Sequence, residues 1–92
     1  MSGFDWDEIN SAHIARHGVT REEAEECCSL DSVAIDVYPV DEEVRYEEIG
    51  QTRAGRILTV VTTERDGKMR VVTAYDATPY RKRLYLSSKG KS

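Results

Sequence analysis

The chain has 92 residues and a formal net charge of −4, so it can build one small domain around a single core. It has no apolar run long enough to cross a bilayer, and its first residues lack the basic and apolar regions of a signal peptide, which favours a cytoplasmic protein. The two cysteines, Cys27 and Cys28, are adjacent and lack the spacing of metal ligands, so we expect one core thiol, one boundary thiol and no metal or other cofactor.

Charge is distributed unevenly along the chain. Residues 1–44 hold two arginines and twelve acids, giving −10, whereas residues 45–92 hold eleven cations and five acids, giving +6. This asymmetry favours a polyanion or an acidic protein as partner for the second half. The alternative is that the two halves pair with each other across the fold, and the sequence leaves both possibilities open.

The beginning of the chain predicts a short helix. It should run from about Asp7 to His17, because Gly18 readily adopts the left-handed conformation that ends a helix. Three side chains share one helical stripe, which we assign to the packed side: Trp6, Ile9 and His13.

A second helix should follow almost at once. Thr20 and Glu23 have the spacing of a capping box, in which each side chain bonds the other residue's backbone N–H. Val19 and Ala24 are placed as a hydrophobic staple around this cap, and the helix should extend to about Cys28.

Four β-strands are predicted next, from runs in which β-branched residues alternate with polar ones. They cover residues 32–39, 44–50, 56–64 and 69–75. The last two flank Asp66-Gly67, a pair typical of a two-residue hairpin turn, and we expect them to be the central antiparallel strands. Strict alternation along the fourth strand would place Arg70 and Tyr75 on opposite faces of the sheet.

A third helix should close the domain. Thr78 is a suitable N-cap, Pro79 suits the first helical position, and the helix should reach about Leu86. The polar residues 87–92 are expected to form a disordered tail. The sequence therefore predicts one α+β domain over residues 1–86, with two N-terminal helices, a four-stranded antiparallel sheet and a C-terminal helix.

Several short motifs together resemble a known family. They are the stretches FDWD, HIARHGVTREEAEE, RYEEIG, GRILTVVTTER and RVVTAYDAT, followed by Tyr85. In this order they are similar to the BrnT family, the toxin components of type II toxin–antitoxin systems. The resemblance implies a RelE-like fold and metal-independent RNA cleavage that inhibits translation, on RNA that is free or ribosome-associated. It also implies a cognate BrnA-like antitoxin, with operator DNA bound only through the toxin–antitoxin complex.

Metal-independent cleavage requires a base for the 2′-OH, cations for the phosphorane and a proton donor for the leaving oxygen. Arginine suits the cationic role because its planar fork binds phosphate oxygens in pairs and stays charged. From the residues and the resemblance, the candidate catalytic residues are Arg45, Glu64, Arg65, Arg70 and Tyr75. The candidate RNA-binding residues are Arg56, Arg81, Lys82 and Arg83.

Two positions depart from the pattern of the family. Tyr75 stands where the family usually has arginine, and either donates a proton, stacks on a base or is simply structural. Arg81 stands where a glutamate would complete a capping box with Thr78, and near a helix N-terminus its charge opposes the helix dipole. Arg81 therefore either binds RNA or pairs with an acid, such as Asp76 or one from the first half of the chain.

The histidines and the overall function also have alternatives. His13 and His17 are one helical turn apart but lack a third metal ligand at suitable spacing, so we favour a structural role for His17 in capping the helix end. The alternative to a ribonuclease is a non-catalytic RelE-like module that binds antitoxin, RNA or the ribosome. A DNA-binding domain is less favoured, because neither a recognition helix nor a basic arm is visible.

Overall fold

The structure, a computed structural model, describes residues 3–89 and contains three helices and four strands. The helices are α1 (Glu8–Ala15), α2 (Arg21–Ser29) and α3 (Pro79–Lys89). The strands are β1 (Val33–Val40), β2 (Glu43–Gln51), β3 (Ile57–Arg65) and β4 (Lys68–Asp76). They form one antiparallel sheet in the order β1-β2-β3-β4, which confirms the predicted α+β class and element order. Within the described residues, no helix is long and apolar enough to span a membrane.

Helix α1 begins as predicted but packs through a different side. The side chain of Asp7 is the N-cap and accepts hydrogen bonds from the backbone N–H groups of Ile9 and Asn10. The buried residues are Asn10 and Ile14. Trp6 packs partly against the core, as predicted, whereas Ile9 is 77% exposed and His13 is exposed, so the packed stripe is wrong for these two. Asn10 can occupy a core position because its amide donates to the carbonyls of Asp5 and Val71.

Helix α2 confirms the predicted capping box. The backbone N–H of Glu23 donates to Oγ1 of Thr20 over 3.1 Å, and the backbone N–H of Thr20 donates to Oε1 of Glu23 over 3.0 Å. Val19 and Ala24 are both buried in the same core. Cys27 is buried and Cys28 half-buried, as expected of one core thiol and one boundary thiol.

Strands β3 and β4 form the predicted hairpin, whose turn residues Asp66 and Gly67 have φ values of 54° and 76°. The prediction that both strands are central is wrong, because β2 and β3 are central and β4 lies at an edge. This edge is covered in part by the start of the chain: Met69 exchanges backbone hydrogen bonds of 2.8 Å with Gly3 and Asp5.

A β-bulge changes which side chains of β4 share a face. Thr73 pairs with Val61, but the next pair on β3 joins Thr62 to Val71, which leaves Val72 as an extra residue. Beyond the bulge, Arg70 pairs with Thr63, while Tyr75 pairs with Thr59. Thr59 and Thr63 share a face of β3, so Arg70 and Tyr75 also share a face, and the prediction from strict alternation is wrong.

The two faces of the sheet carry separate clusters. One face packs on α1 and α2 through a core of Ile14, Val19, Ala24, Cys27, Leu58, Val60, Val71 and Ala74. The other face packs on α3 through Ile49, Ile57, Ala77 and Tyr85. We call this second face, which also carries Thr59, Thr63 and Tyr75, the site face. Helix α3 covers only one end of it.

Helix α3 starts as predicted and ends later. Oγ1 of Thr78 accepts a hydrogen bond from the backbone N–H of Arg81, which confirms the N-cap. The helix continues three residues beyond the predicted end, to Lys89, whose ammonium group lies 2.6 Å from the carboxylate of Asp31. Tyr85 donates a 2.8 Å hydrogen bond to the backbone carbonyl of Asp31 and so anchors the same segment. The predicted disordered tail is therefore wrong for residues 87–89, which are helical. Residues 90–92 lie outside the described residues, and for them disorder stays a prediction.

Candidate active site

A cavity of about 380 Å³ is lined by residues of α1, β2, β3 and β4, near the hairpin that joins β3 to β4. Four of the side chains that line it are arginines: Arg16 from α1's C-terminal end, Arg45 from β2, Arg65 from β3 and Arg70 from β4. We call it the arginine cavity. Its rim also includes His13 and Ile9 from α1, and Glu43 from β2.

Sheet register positions two of these arginines. Thr63 of β3 is flanked on one side by Arg45 and on the other by Arg70, in directly opposed cross-strand pairs. Arg65 lies two residues further along β3 and therefore on the same face. Three predicted catalytic arginines are thus brought together by strand pairing, although they lie far apart in the sequence.

Arg70 is nearly buried and already has carboxylate partners. Its guanidinium lies 3.0 Å from Asp7 and 3.5 Å from Asp5, and 10% of its side chain is exposed. The hydrogen bond with Arg70 lowers the pKa of Asp7, and the same bond raises the pKa of Arg70. Arg70 therefore fastens the capped start of α1 to β4 while it lines the cavity.

Glu43 connects the other two arginines. Its carboxylate accepts a 2.8 Å hydrogen bond from Nη2 of Arg65 and lies 3.4 Å from Nη2 of Arg45. The hydrogen bond from Arg65 is the main cause that lowers the pKa of Glu43. Nε of Arg45 is buried and has no acceptor among residues 3–89. A buried donor without an acceptor is rare in proteins, and this one belongs to a residue that lines the cavity.

A second polar cluster lies further along the site face. Oε2 of Glu47 accepts hydrogen bonds from Nη1 of Arg81 over 2.8 Å and from the hydroxyl of Tyr75 over 3.4 Å. Arg81 also donates to Oγ1 of Thr59 over 3.4 Å. Since only 12% of the Glu47 side chain is exposed, this ion pair offsets the unfavourable position of Arg81 at a helix N-terminus. Arg81 thus pairs with an acid, which was one of the two alternatives for this residue. The acid is Glu47, and not Asp76 or an acid from the first half of the chain.

The two histidines connect the cluster to the cavity. The rings of His13 and His17 are 5.6 Å apart between centroids, and those of His17 and Tyr75 are 6.0 Å apart. In the described part of the chain the imidazole of His17 bonds no helix carbonyl, so the capping role expected for it is not observed. Across residues 3–89, no cluster of three His, Cys, Asp or Glu side chains is arranged to hold a metal ion.

The remaining predicted residues lie elsewhere. Arg56 is fully engaged: Nη1 donates to the carbonyl of Gly18 over 2.6 Å and to Glu23, and Nε donates to Asp76 over 3.1 Å. Glu64 lines a groove on the opposite face of the sheet, away from the arginines. Lys82 and Arg83 are exposed on α3. The structure does not bring these four residues into the arginine cavity.

Much of the charge asymmetry is resolved within the molecule. Cations of the second half pair with acids of the first half at Arg53–Glu26, Arg56–Glu23, Arg65–Glu43, Arg70–Asp7 and Lys89–Asp31. Pairing between the halves, one of the two alternatives, is therefore observed. In the segment that the structure describes, Arg16 and Arg83 have no ion pair.

Sequence reasoning missed several residues of the site. Arg16 belongs to the acidic half of the chain and so drew no attention. His13 was assigned to the packed side of the first helix, and Glu43 and Glu47 were given no role. One sequence pattern indicates part of the site: the helical spacing of Ile9, His13 and Arg16 places these three residues on one side of α1.

Comparison with known proteins agrees with the geometry. A family model described as the ribonuclease toxin BrnT of type II toxin–antitoxin systems matches residues 6–80. A search of curated proteins finds no match. The matched segment includes every residue that lines the arginine cavity, and Tyr75, whereas Arg81 lies just outside it. The chain belongs to the BrnT family of ribonuclease toxins of type II toxin–antitoxin systems.

Proposed function

We propose that the chain is a toxin that binds a phosphodiester of single-stranded RNA in the arginine cavity and cleaves it without a metal ion. Family membership implies an RNA substrate and an antitoxin partner. The observation that carries the proposal is the convergence of four arginines from one helix and three strands on one cavity of about 380 Å³. A cavity of this size is within the range of small-molecule sites and accommodates one nucleotide phosphate.

The arginines have distinct roles in this proposal. Arg45 offers its buried Nε, and Arg65 an adjacent guanidinium, to the non-bridging phosphate oxygens. Both guanidinium groups stabilise the phosphorane more strongly as it gains charge, because a preorganised cation needs no rearrangement in the transition state. Glu43 is a positioning residue that holds the two guanidinium groups near each other. Arg16, without an ion pair in the described residues, neutralises the incoming phosphate.

The second cluster extends the binding site along the RNA strand. Tyr75 presents a half-buried ring at the edge of the site face, next to Arg81. We assign Tyr75 to stacking against a base that flanks the scissile phosphate, since aromatic rings stack on any base. Lys82 and Arg83, exposed on α3, lie near this end and contribute to the attraction of the backbone.

Cleavage of an end-labelled single-stranded RNA by purified protein, in buffer that contains EDTA, tests the proposal. Wild type should release fragments that end in a 2′,3′-cyclic phosphate. Arg45→Ala and Arg65→Ala should each lower the rate by about 10²–10³, the loss seen when one transition-state donor is removed. Arg53→Ala is the matched control, because Arg53 is exposed on another part of the surface and pairs only with Glu26 in the described residues.

A non-catalytic binding module is the second candidate. It is favoured by the fact that Asp5, Asp7 and Glu43 already pair with three of the four arginines. In that case the cavity contributes to fold stability, and the surface serves the antitoxin, RNA or ribosome. Folded wild-type protein that binds RNA but releases no fragments, with or without ribosomes and in the presence or absence of Mg²⁺, would establish this alternative.

The proposal includes the regulation expected of a toxin. A cognate BrnA-like antitoxin neutralises the chain in the cytoplasm, and operator DNA is bound only through their complex. Expression of the chain alone should arrest growth, and co-expression of the antitoxin should restore it. Cells that express Arg45→Ala at the same protein level should grow normally. This result would separate toxicity caused by the arginine cavity from the burden of expressing any protein.

A further inference from the structure

We infer that His13 is a catalytic residue of the arginine cavity and accepts the proton of the attacking 2′-OH. This inference rests on the proposed ribonuclease function and names the base that the function requires. It is carried by the position of His13 on α1, where its exposed side chain lines the same cavity as Arg45, Arg65 and Arg70.

The packing of α1 leaves His13 free for this role. The helix contacts the core through Asn10 and Ile14, and His13 lies on the other side, with Ile9 and Arg16. In the described residues the imidazole has no hydrogen-bond or ion-pair partner and only the ring of His17 against it. The capped helix, tied to the sheet, fixes the backbone of His13, and the unpaired imidazole has an available nitrogen.

The other acid–base candidates are less suited to the cavity. Among the described residues, Glu43 is the only carboxylate that lines it, and Arg65 and Arg45 hold that carboxylate charged and hydrogen-bonded. Tyr75 directs its hydroxyl to Glu47 instead of the cavity, and Glu64 lies on the opposite face of the sheet. A histidine is also the side chain most often used to move protons near neutral pH.

Charged and titratable groups from every element of the cavity line it together with His13 or contact the His13 ring. They are Arg16 and His17 from the end of α1, Glu43 and Arg45 from β2, Arg65 from β3 and Arg70 from β4, and Asp5 and Asp7 pair with Arg70. Cations outnumber acids among the described residues that line the cavity. This setting suits a reaction in which the substrate brings a negative phosphate and gains further charge in the transition state.

The cleavage step begins with the proton of the 2′-OH. The neutral imidazole of His13 takes the 2′-OH proton, O2′ forms a bond to phosphorus, and the bond from phosphorus to O5′ breaks. The departing O5′ takes a proton from water, and the hydroxide that results takes the proton from the imidazolium. The products are a 2′,3′-cyclic phosphate and a 5′-hydroxyl, and His13 returns to its starting form.

Cleavage of an end-labelled single-stranded RNA, followed across pH, tests the inference. His13→Ala should lower the rate by about 10²–10⁴ and remove the acidic limb of the pH–rate profile, because that limb reports protonation of the base. Free imidazole should partly restore His13→Ala but not Arg45→Ala. Affinity for a 2′-O-methyl RNA of the same sequence, which cannot be cleaved, should match that of wild type.

Arg53→Ala is the matched control, since Arg53 is exposed on another part of the surface and does not line the cavity. It should keep the rate within about threefold. Wild-type cleavage together with an unimpaired His13→Ala would overturn the inference alone. So would a loss in His13→Ala that equals the loss of binding to 2′-O-methyl RNA and does not respond to imidazole. If folded wild type cleaves no RNA, the proposed function fails and the inference fails with it.

Discussion

The carboxylate of Asp7 lies 3.0 Å from the guanidinium of Arg70 while it also caps the first turn of α1. One side chain thus satisfies two donors at the start of a helix and a nearly buried cation on a strand. Because α1 carries His13 and Arg16 into the arginine cavity, this contact sets the distance between the helix and the strands that form the opposite wall.

The two functions of Asp7 can be separated by substitution. Asp7→Asn keeps a side-chain oxygen for the cap but removes the charge that pairs with Arg70, whereas Asp7→Ala removes both. We expect both variants to unfold at lower temperature, with Asp7→Ala the lower. Calorimetry measures the melting temperatures. Asp36→Asn is a suitable control, because Asp36 is exposed on β1. Equal stability of Asp7→Asn and wild type would mean that the ion pair contributes nothing.

Stability should decline in acid. The pKa of Asp7 is lowered from its ordinary value of 3.8, chiefly by Arg70, and that of Asp76 is lowered from the same value by Arg56. Groups whose pKa is lowered on folding stabilise the protein above their ordinary pKa, and this contribution is lost as pH falls through the lowered value. Urea unfolding should therefore give a constant free energy from about pH 7 to pH 5 and a decline below about pH 4. A rise in stability below pH 4 would contradict the assignment.

Arg56 should matter for stability and not for catalysis. It joins the Gly18 carbonyl, Glu23 and Asp76, and 28% of its side chain is exposed. Arg56→Ala should lower the free energy of unfolding by about 1–3 kcal/mol. Arg53→Ala, whose side chain is 74% exposed, should lower it by at most about 0.5 kcal/mol. RNA cleavage per folded molecule should be unchanged in both, so a large loss in Arg56→Ala below its melting range would place Arg56 in the site after all.

Tyr75 should act through its ring. Its hydroxyl makes one long hydrogen bond, to Glu47, so Tyr75→Phe should keep the cleavage rate within about threefold. Tyr75→Ala removes the ring as well and should weaken RNA binding by about 1–3 kcal/mol. Fluorescence titration with 2′-O-methyl RNA measures the affinity, and melting temperatures show whether the fold is intact. A 10²–10⁴ loss of rate in Tyr75→Phe would instead identify the hydroxyl as an acid.

RNA binding should depend steeply on salt. One phosphate is bound in the arginine cavity, and we expect Lys82 and Arg83 to neutralise two more along the strand. The logarithm of the affinity should therefore fall with the logarithm of salt concentration with a slope of about −2 for single-stranded RNA. Lys82→Ala should reduce this slope by about 0.7. Equilibrium binding of 2′-O-methyl RNA between low and physiological salt measures both. A slope near zero would exclude an electrostatic site.

The features that the sequence predicted correctly are set by local hydrogen bonds. Thr20 and Glu23 satisfy each other's backbone donors within one helical turn, and Thr78 accepts a hydrogen bond from the backbone N–H of Arg81 at the start of α3. Asp66-Gly67 fits a hairpin turn because both residues adopt positive φ. In each case the interacting groups lie within a few residues of each other in the chain. The local sequence is therefore enough to predict the hydrogen bond or turn.

The features that the sequence could not predict depend on distant partners. Val71 and Val72 fit a strand equally well, and only pairing with β3 decides that Val72 forms the bulge. On α1, Ile9 and Ile14 lie on different sides of a short helix, and the choice between them depends on what the rest of the chain offers. Arg81 likewise finds its acid 34 residues away, in Glu47. Each outcome is decided by tertiary packing.

The elements that form the walls of the arginine cavity are synthesised at different times. Asp5 and Arg70, which are in contact, are 65 residues apart in the chain. During synthesis α1 leaves the ribosome long before β4, so a growing chain presents His13 and Arg16 with no opposing wall. The cavity comes into existence only when β4 has emerged and docked against the start of the chain. A nascent toxin therefore has no arginine cavity for most of the time that it is attached to the ribosome and messenger that produce it.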